Sequence, residues 1–364
     1  MHNSKNWFVR LCCAGTALFI TAQSFAGDVN PPVGPVVGTM KPLSEIEPRI
    51  VVNATNTPGD IDSQFKIVNP GSYYLASNIT GASGLIGIEV AAADVTLDLM
   101  GHEMLGVPGS LQGIRVTLAN SINIAIQNGT VRLWGGAGVD IVSATSKQLR
   151  QLRVAGNGVG GITAGANALI TDCHSTLNTG AGITTGTGGT ITNCTVVSNT
   201  TLGITTNIAN TVTNCTAMFN TTDGISVGQG STVTACTSRG NSGHGIVGQP
   251  GSTIQNNTSS ANVGDGIRVS TDCRVANNTC DGNGAVAGDA AGIHATSDDN
   301  RIDSNHVTDN DRGIDVDVGG NLVIRNSASG NGADYDIVAG NSKAEILTGG
   351  DDFIATNPWA NFSF

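Results

Sequence analysis

Between Gly161 and Gly266 a glycine followed by isoleucine recurs at one constant interval of 21, as Gly161-Ile162, Gly182-Ile183, Gly203-Ile204, Gly224-Ile225, Gly245-Ile246 and Gly266-Ile267. The pair continues as Gly138-Val139, Gly113-Ile114 and Gly87-Ile88 on one side, and as Gly292-Ile293 and Gly313-Ile314 on the other, where the interval varies between 21 and 26. A second aliphatic follows the Ile162 to Ile267 anchors at position plus eight: Ile170, Ile191, Val212, Val233, Ile254 and Val275. Asparagines form a third column, Asn157, Asn178, Asn199, Asn220, Asn241, Asn262 and Asn283, continuing at Asn310 and Asn331. A period near 20 is the mark of a solenoid, in which each unit buries its apolar face against the next.

The units are short alternating runs of Thr, Val, Ile, Asn and Gly, which favour strands and turns over helix. Each unit therefore makes about three short strands and returns one rung, ~4.8 Å, higher. Like residues then stack: aliphatics inward as a core, asparagines at tight turns, hydrogen-bonding along their column and tolerating left-handed backbone. The expected architecture is all-β, a single right-handed parallel β-helix of roughly 11 to 12 coils over 86–340.

The flanks read differently. Lys5 and Arg10 precede the apolar run Leu11 to Ile20, and Ser24-Phe25-Ala26 has the small residues of a cleavage site. This is a secretory signal peptide, too short for a membrane span, so a secreted or periplasmic protein cleaved near Ala26 is expected. Residues 27–48, with Pro31, Pro32, Pro35, Pro42 and Pro48, read as a linker, and 49–85 as an N-terminal cap with the first strands. The tail 341–364, with Phe353, Trp359, Phe362 and Phe364, is expected to cover the last rung, because an open solenoid end is an exposed sheet edge. Without Lys5 and Arg10 the chain has 15 basic against 28 acidic residues, a net charge near −13. That balance argues against nucleic acid and anionic membranes as partners. No later apolar run is long enough to span a bilayer, and a monomer is expected.

The stretches PGSYYLASNITG, VTLDLMGH (95–102) and INIAIQNGTVRLWGGAGV (122–139), with the Gly-Ile and Asn rungs, resemble secreted β-helix proteins of the pectate-lyase-like superfamily from about Phe65 to Val338. The resemblance implies the fold. It also implies a range of activities on polysaccharides, as lyases, hydrolases or epimerases, alongside members without known activity. No catalytic motif of one enzyme family is present to carry over.

Cys173, Cys194, Cys215 and Cys236 recur at the same interval of 21, in the slot that Asn257 and Asn278 fill later. Stacked in register, their β-carbons lie near the ~4.8 Å rung spacing, longer than the ~3.8 Å a disulfide prefers, so a buried thiol column is expected. A straight column cannot close a tetrahedron around a metal either. For Cys273 and Cys280 the sequence leaves pairing open.

Candidate chemistry lies in the residue after each anchor, which alternation turns outward. That column reads Glu89, Arg115, Asp140, Thr163, Thr184, Thr205, Ser226, Val247, Arg268, His294, Asp315 and Asp336, and the position before each glycine adds Asp223, His244, Asp265 and Arg312. A lyase or epimerase acting on uronic acids needs a base near neutral pH and a cation for the sugar carboxylate. On that reading His294 is the base, Arg268 or Arg312 the clamp, and Asp315 an orienting or calcium-binding carboxylate, with Asp265, His244 and Asp336 beside them. An insertion at 285–289 would set a loop beside this cluster. A second cluster, Arg115 and Asp140 with Glu89, has Trp134 as its platform for a sugar. The glycine column would leave a shallow trough between. Against this stands a plain ladder of surface ion pairs, each worth ~0–1 kcal/mol. Calcium is the one cofactor considered, at Asp298-Asp299 or Asp315/Asp317, and neither matches the glycine-rich calcium repeat. The functional expectation is an exported protein that binds, and as a candidate uronate lyase or epimerase processes, a polysaccharide or cell-surface glycan along its lateral face. The alternatives are a structural or adhesive solenoid, and a water-ordering array of Thr190/Thr192, Thr211/Thr213 and Thr232/Thr234.

Overall fold

In the strand Ile162–Ala164 the isoleucine and alanine are buried and the threonine between them is half-buried, the alternation that a strand imposes. Its partner one unit later, Ile183–Thr185, lies parallel and in register, Ile162 opposite Ile183 and Thr163 opposite Thr184. The pattern then repeats through Ile204, Ile225, Ile246 and Ile267, all fully buried. Each contributes ~1.5–3 kcal/mol of burial to one continuous core.

The computed structural model describes residues 47–284, 290–349 and 357–364. The expected leader, nearly all of the proline-rich linker, the 285–289 insertion and Phe353 lie outside the described residues. The chain divides into Met1–Glu47, of which only Glu47 is described, and Pro48–Phe364. The second unit is a parallel β-solenoid. A 13-stranded sheet carries the Gly-Ile anchors, and a 26-stranded sheet forms the remaining walls.

The coil count exceeds the 11 to 12 expected, because 13 strands occupy the anchor sheet. The two coils beyond the eleven with a glycine-aliphatic pair carry an aromatic where the others carry isoleucine or valine. Phe65 pairs with Ile88 at the start, and Tyr335 pairs with Ile314 at the end. Two coils of the larger sheet carry unbroken nine-residue strands, Ile124–Arg132 and Lys147–Ala155. Later coils split that strand in two at a left-handed residue, as Asp172 (φ 54°) separates Ala168–Thr171 from His174–Thr176. The next residue turns inward there, which is why Cys173, Cys194, Cys215 and Cys236 are buried. All six described cysteines are free thiols. Cys273 does not pair with Cys280: its backbone N–H joins the Asn300 column, whereas Cys280 lies between Ser259 and Val307 in a strand of the core.

The asparagine column is a continuous buried hydrogen-bond ladder. From Asn157 to Asn283 each backbone N–H donates to the Oδ1 one coil on at 2.9–3.2 Å, and each Nδ2 donates to the same oxygen at 2.9–3.1 Å. The ladder runs on to Asn331. Left-handed backbone is not on these residues, as the turn argument supposed. It falls on the residue before, including Leu177, Ser198 and Phe219. The ladder also explains the glycines. A β-carbon on Gly182, Gly203, Gly245 or Gly266 would stand 2.7 Å from the Nδ2 of Asn199, Asn220, Asn262 or Asn283 respectively. The glycine column therefore leaves no outward trough; the space it frees is inside, and asparagine fills it.

Candidate functional site: an ionic cluster on the anchor sheet

The strands Ile267–Val269, Ala291–Ala295, Arg312–Val316 and Ala333–Ile337 lie side by side. Ile267, Ile293, Ile314 and Tyr335 turn inward, and their in-register neighbours Arg268, His294, Asp315 and Asp336 face away from the interior. The stacking expected from the sequence therefore brings these four residues into one column. Their burial is not what alternation suggests. His294 is only 6% and Asp315 3% exposed, while Asp265 in the neighbouring column is 1% exposed. Arg268, Arg312, Asp317 and Asp336 make up the accessible layer, with side chains 30–51% exposed.

The centre is built around the His294 ring. Nδ1 stands 3.1 Å from Asp265 Oδ2, and Nε2 lies 3.0 Å from Asp317 Oδ2 and 3.8 Å from Asp315 Oδ2. Asp265 is itself anchored, since its Oδ1 accepts the Ala291 N–H at 2.8 Å and Arg268 Nη1 lies 3.6 Å from its Oδ2. His244 Nδ1 lies 2.9 Å from the Asp265 backbone nitrogen and 3.2 Å from its Oδ2, and the His244 backbone N–H donates to Asp223 Oδ1 at 2.8 Å. Arg312 joins the next rung, Nη1 donating to Asp315 Oδ2 at 2.7 Å and Nε lying 3.5 Å from Asp336 Oδ2.

Burial alone would lower the His294 pKa, but Asp265, Asp317 and Asp315 outweigh it and push it up to about 9. The ring is an imidazolium at neutral pH with both N–H groups directed at carboxylates. It has no free lone pair, so this arrangement does not give it the base role that its residue type suggested. Burial opposes ionisation of Asp265, yet His244, His294 and the Ala291 N–H hold its carboxyl well below the usual range. Asp315 moves the other way, because burial raises it and Arg312 offsets only part of that.

At the other cluster, Glu89, Arg115 and Asp140 are register partners, but Arg115 Nε is 3.9 Å from Asp140 Oδ2. Glu89 is 4% exposed and is held by Lys66 Nζ at 3.0 Å and by the Thr117 hydroxyl at 2.6 Å. Trp134 is not a sugar platform. It is 1% exposed and occupies the first slot of the asparagine column, its N–H donating to Asn157 Oδ1 at 3.0 Å and its Nε1 to the Met104 carbonyl at 3.1 Å. The indole fills the interior beneath Gly81 and Gly87, where a β-carbon would stand 2.7 and 2.5 Å from it. Two participants are underread in the sequence. Asp317 enters there only as a calcium ligand, though its two-residue spacing from Asp315 puts both on one face. Lys66 follows Phe65, an anchor without glycine, so it escapes the column. The Thr190, Thr211 and Thr232 column and its Thr192 companion do stack in register.

No curated protein sequence matches this chain. Among solved structures it is similar to the A-module of the mannuronan C-5 epimerase AlgE6 of Azotobacter vinelandii. The TM-score is 0.55 and the identity 13%, over 76% of this chain and 89% of that one. It is also similar to the tailspike receptor binding domain of Siphovirus 9NA, with a TM-score of 0.50 and 11% identity over 79% and 75% of the two chains. At these identities the likeness is one of fold. A family model described as a right handed beta helix region matches residues 112–258 and 228–353, well over half the sequence. With its parallel rungs, buried asparagine ladder and anchor sheet, the protein belongs to the right-handed β-helix family.

Proposed function

We propose that this is an exported β-helix protein that binds an anionic extracellular polysaccharide across the open face of the anchor sheet, centred on Arg268, His294 and Arg312. The observation that carries the reading is the pairing of two half-exposed guanidiniums with a buried, charged His294–Asp265–Asp315 centre. A solvated ladder of surface pairs has no cause to bury its imidazolium. Guanidinium forks suit the carboxylates of a polyuronate. The mannuronan C-5 epimerase among the structural neighbours is in keeping with such a ligand.

The finer reading is elimination or epimerisation at a uronate. His294 supplies positive charge to that chemistry and does not abstract the proton. The carboxylates that a polymer reaches are Asp317 and Asp336, whose side chains are 47% and 51% exposed. Retention of the protein on a panel of immobilised polyuronates and neutral glycans tests binding, and ultraviolet absorbance of unsaturated ends tests cleavage. Binding to at least one polyuronate, weakened at least tenfold by Arg268→Ala, is expected. Equal retention on neutral polymers, or indifference to Arg268→Ala, refutes the reading.

A further inference from the structure

Three carboxylates (Asp265, Asp315, Asp317) meet the His294 ring, and two guanidiniums (Arg268, Arg312) and a fourth carboxylate, Asp336, are paired around them. A cation at Nε2 takes the place of the imidazolium proton, which leaves as the metal binds; with the ring then neutral, these charges sum to two negative, the complement of one divalent cation. We propose that His294 Nε2, Asp315 Oδ2 and Asp317 Oδ2 form a three-ligand site for a divalent first-row transition metal, with Asp265 as the carboxylate that orients the ring.

Geometry supports the assignment. The three ligand atoms lie within 4.8 Å of one another, with Nε2 3.0 Å from Asp317 Oδ2 and 3.8 Å from Asp315 Oδ2. Ligands ~2.0–2.2 Å from a shared tetrahedral ion stand roughly 3.3–3.5 Å apart, midway between those separations. Ring orientation is the independent sign. A metal-binding histidine commonly gives its other N–H to a carboxylate, and here Nδ1 meets Asp265, which is buried and fixed by the Ala291 N–H. Two ligands come from adjacent in-register strands, so the scaffold is rigid. Arg312 donates to the same Asp315 oxygen and takes only one of its lone pairs.

A nitrogen ligand with two carboxylates suits zinc, manganese or cobalt. Calcium and magnesium prefer six or more oxygens. The second acidic group, Asp60, Asp62 and Glu89, differs, because Lys66 Nζ lies 2.6 Å from Asp60 and 3.0 Å from Glu89 and already supplies the positive charge. Asp317 is half-exposed, so the remaining coordination positions face the side from which a polymer arrives. An ion there would bridge an acidic protein to a uronate carboxylate. That last step rests on the proposed function; metal binding itself does not.

The test uses untagged mature protein stripped with a chelator, titrated calorimetrically with zinc, manganese and calcium chlorides without polysaccharide. Bound metal is counted by mass spectrometry, and cobalt absorption reports the coordination. One zinc or manganese per chain is expected, lost at least 100-fold in Asp317→Ala and in His294→Gln, and weakened 10–100-fold in Asp265→Asn. Asp317→Ala removes a half-exposed side chain, so it stays informative if the His294 variant fails to fold. Absence of stoichiometric transition-metal binding, or binding unchanged in Asp317→Ala, overturns the site, as does a calcium response indifferent to His294. Polyuronate retention in chelator without metal binding sinks this site alone. Metal binding without retention on any polyuronate sinks the proposed function alone.

Discussion

Asn220 is fully buried in the ladder, and its substitution isolates what stacking contributes. Its Oδ1 accepts the Asn199 N–H at 3.0 Å and Asn199 Nδ2 at 3.1 Å, and its Nδ2 donates to Asn241 Oδ1 at 3.0 Å. In Asn220→Ala, Asn199 Nδ2 keeps the Ser175 and Val197 carbonyls, and Asn241 Oδ1 keeps the residue-220 N–H. Only the Asn199 N–H is stranded. One stranded buried donor costs ~1–3 kcal/mol, and the small cavity adds roughly 1, so about 2–4 kcal/mol is expected. Asn220→Asp keeps the acceptor side but turns an oxygen toward Asn241 Oδ1. Protonated, it donates across that contact; ionised, it is an unpaired buried charge. Its native pKa therefore rises above the ~3.9 of the unfolded chain, the native state binds more protons, and stability falls as pH rises by up to ~1.4 kcal/mol per unit until the native pKa is passed. Guanidinium unfolding midpoints from pH 4 to 8, referred to wild type and to the exposed Thr222→Ala, give the comparison. A shift for Asn220→Ala no larger than the ~0.5 kcal/mol of an ordinary surface substitution refutes the ladder as a source of stability. So does a pH-independent difference for Asn220→Asp.

Gly224→Ala places a β-carbon 2.0 Å from Ser238 Oγ and 2.6 Å from Asn241 Nδ2, so loss of the folded far-ultraviolet spectrum is expected. Gly230→Ala has open space and only left-handed strain (φ 65°), costing ~1 kcal/mol, and equal behaviour of the two would contradict the packing account. Trp134 should be inaccessible to acrylamide and unresponsive to added glycan, with Trp134→Ala losing ~3–5 kcal/mol; ready quenching of the native fluorescence in Trp359→Phe, with Trp7 also replaced by Phe, would contradict its burial. Asp303, held down to about 2 against its burial by Arg325, Arg301 and Ser304, stabilises the fold above pH ~4. About 1–2 kcal/mol should vanish as pH falls toward 2, and Asp303→Asn should abolish that part of the acid titration; an unchanged acid limb would contradict the pairing.

Register was legible because it rests on identity at fixed spacing. Ile204 over Ile183 and Asn220 over Asn199 follow from letters 21 apart. Trp134 was not, because it enters the asparagine column through a 23-residue interval, where the period had drifted and the letter had changed. The burial of Glu89, His294 and Asp315 was hidden for another reason. Alternation tells which side of a strand a residue faces, but not what its neighbours do once there. Asp317 reaches His294 and Lys66 reaches Glu89 from one rung away, and Arg312 folds over Asp315 on its own strand, so a nominal surface position becomes an interior one. The anchor glycines were legible as a column but not as a cause. Their partner belongs to a different column, set well apart along the chain, as Asn199 is from Gly182.

The position of the cluster follows from the same geometry. A perfect repeat presents the same residue on every rung, as Thr163, Thr184, Thr205 and Ser226 show. Such a stripe repeats one chemistry and cannot gather unlike charges. Unlike charges gather only where the rungs diverge. From Val247 and Arg268 onward the successive rungs depart from that stripe, the strands after Ile267–Val269 lengthen from three residues to five, and the interval from Gly266 to Gly292 grows to 26. Ala291 is part of that divergence. Its register partner one rung on is Arg312, and it follows Asp265 in the column, so its bare methyl leaves the room through which Asp265 accepts the Ala291 N–H and reaches His294. The regular coils thus supply a rigid backbone, and the first irregular ones supply a centre whose charges oppose and bury one another.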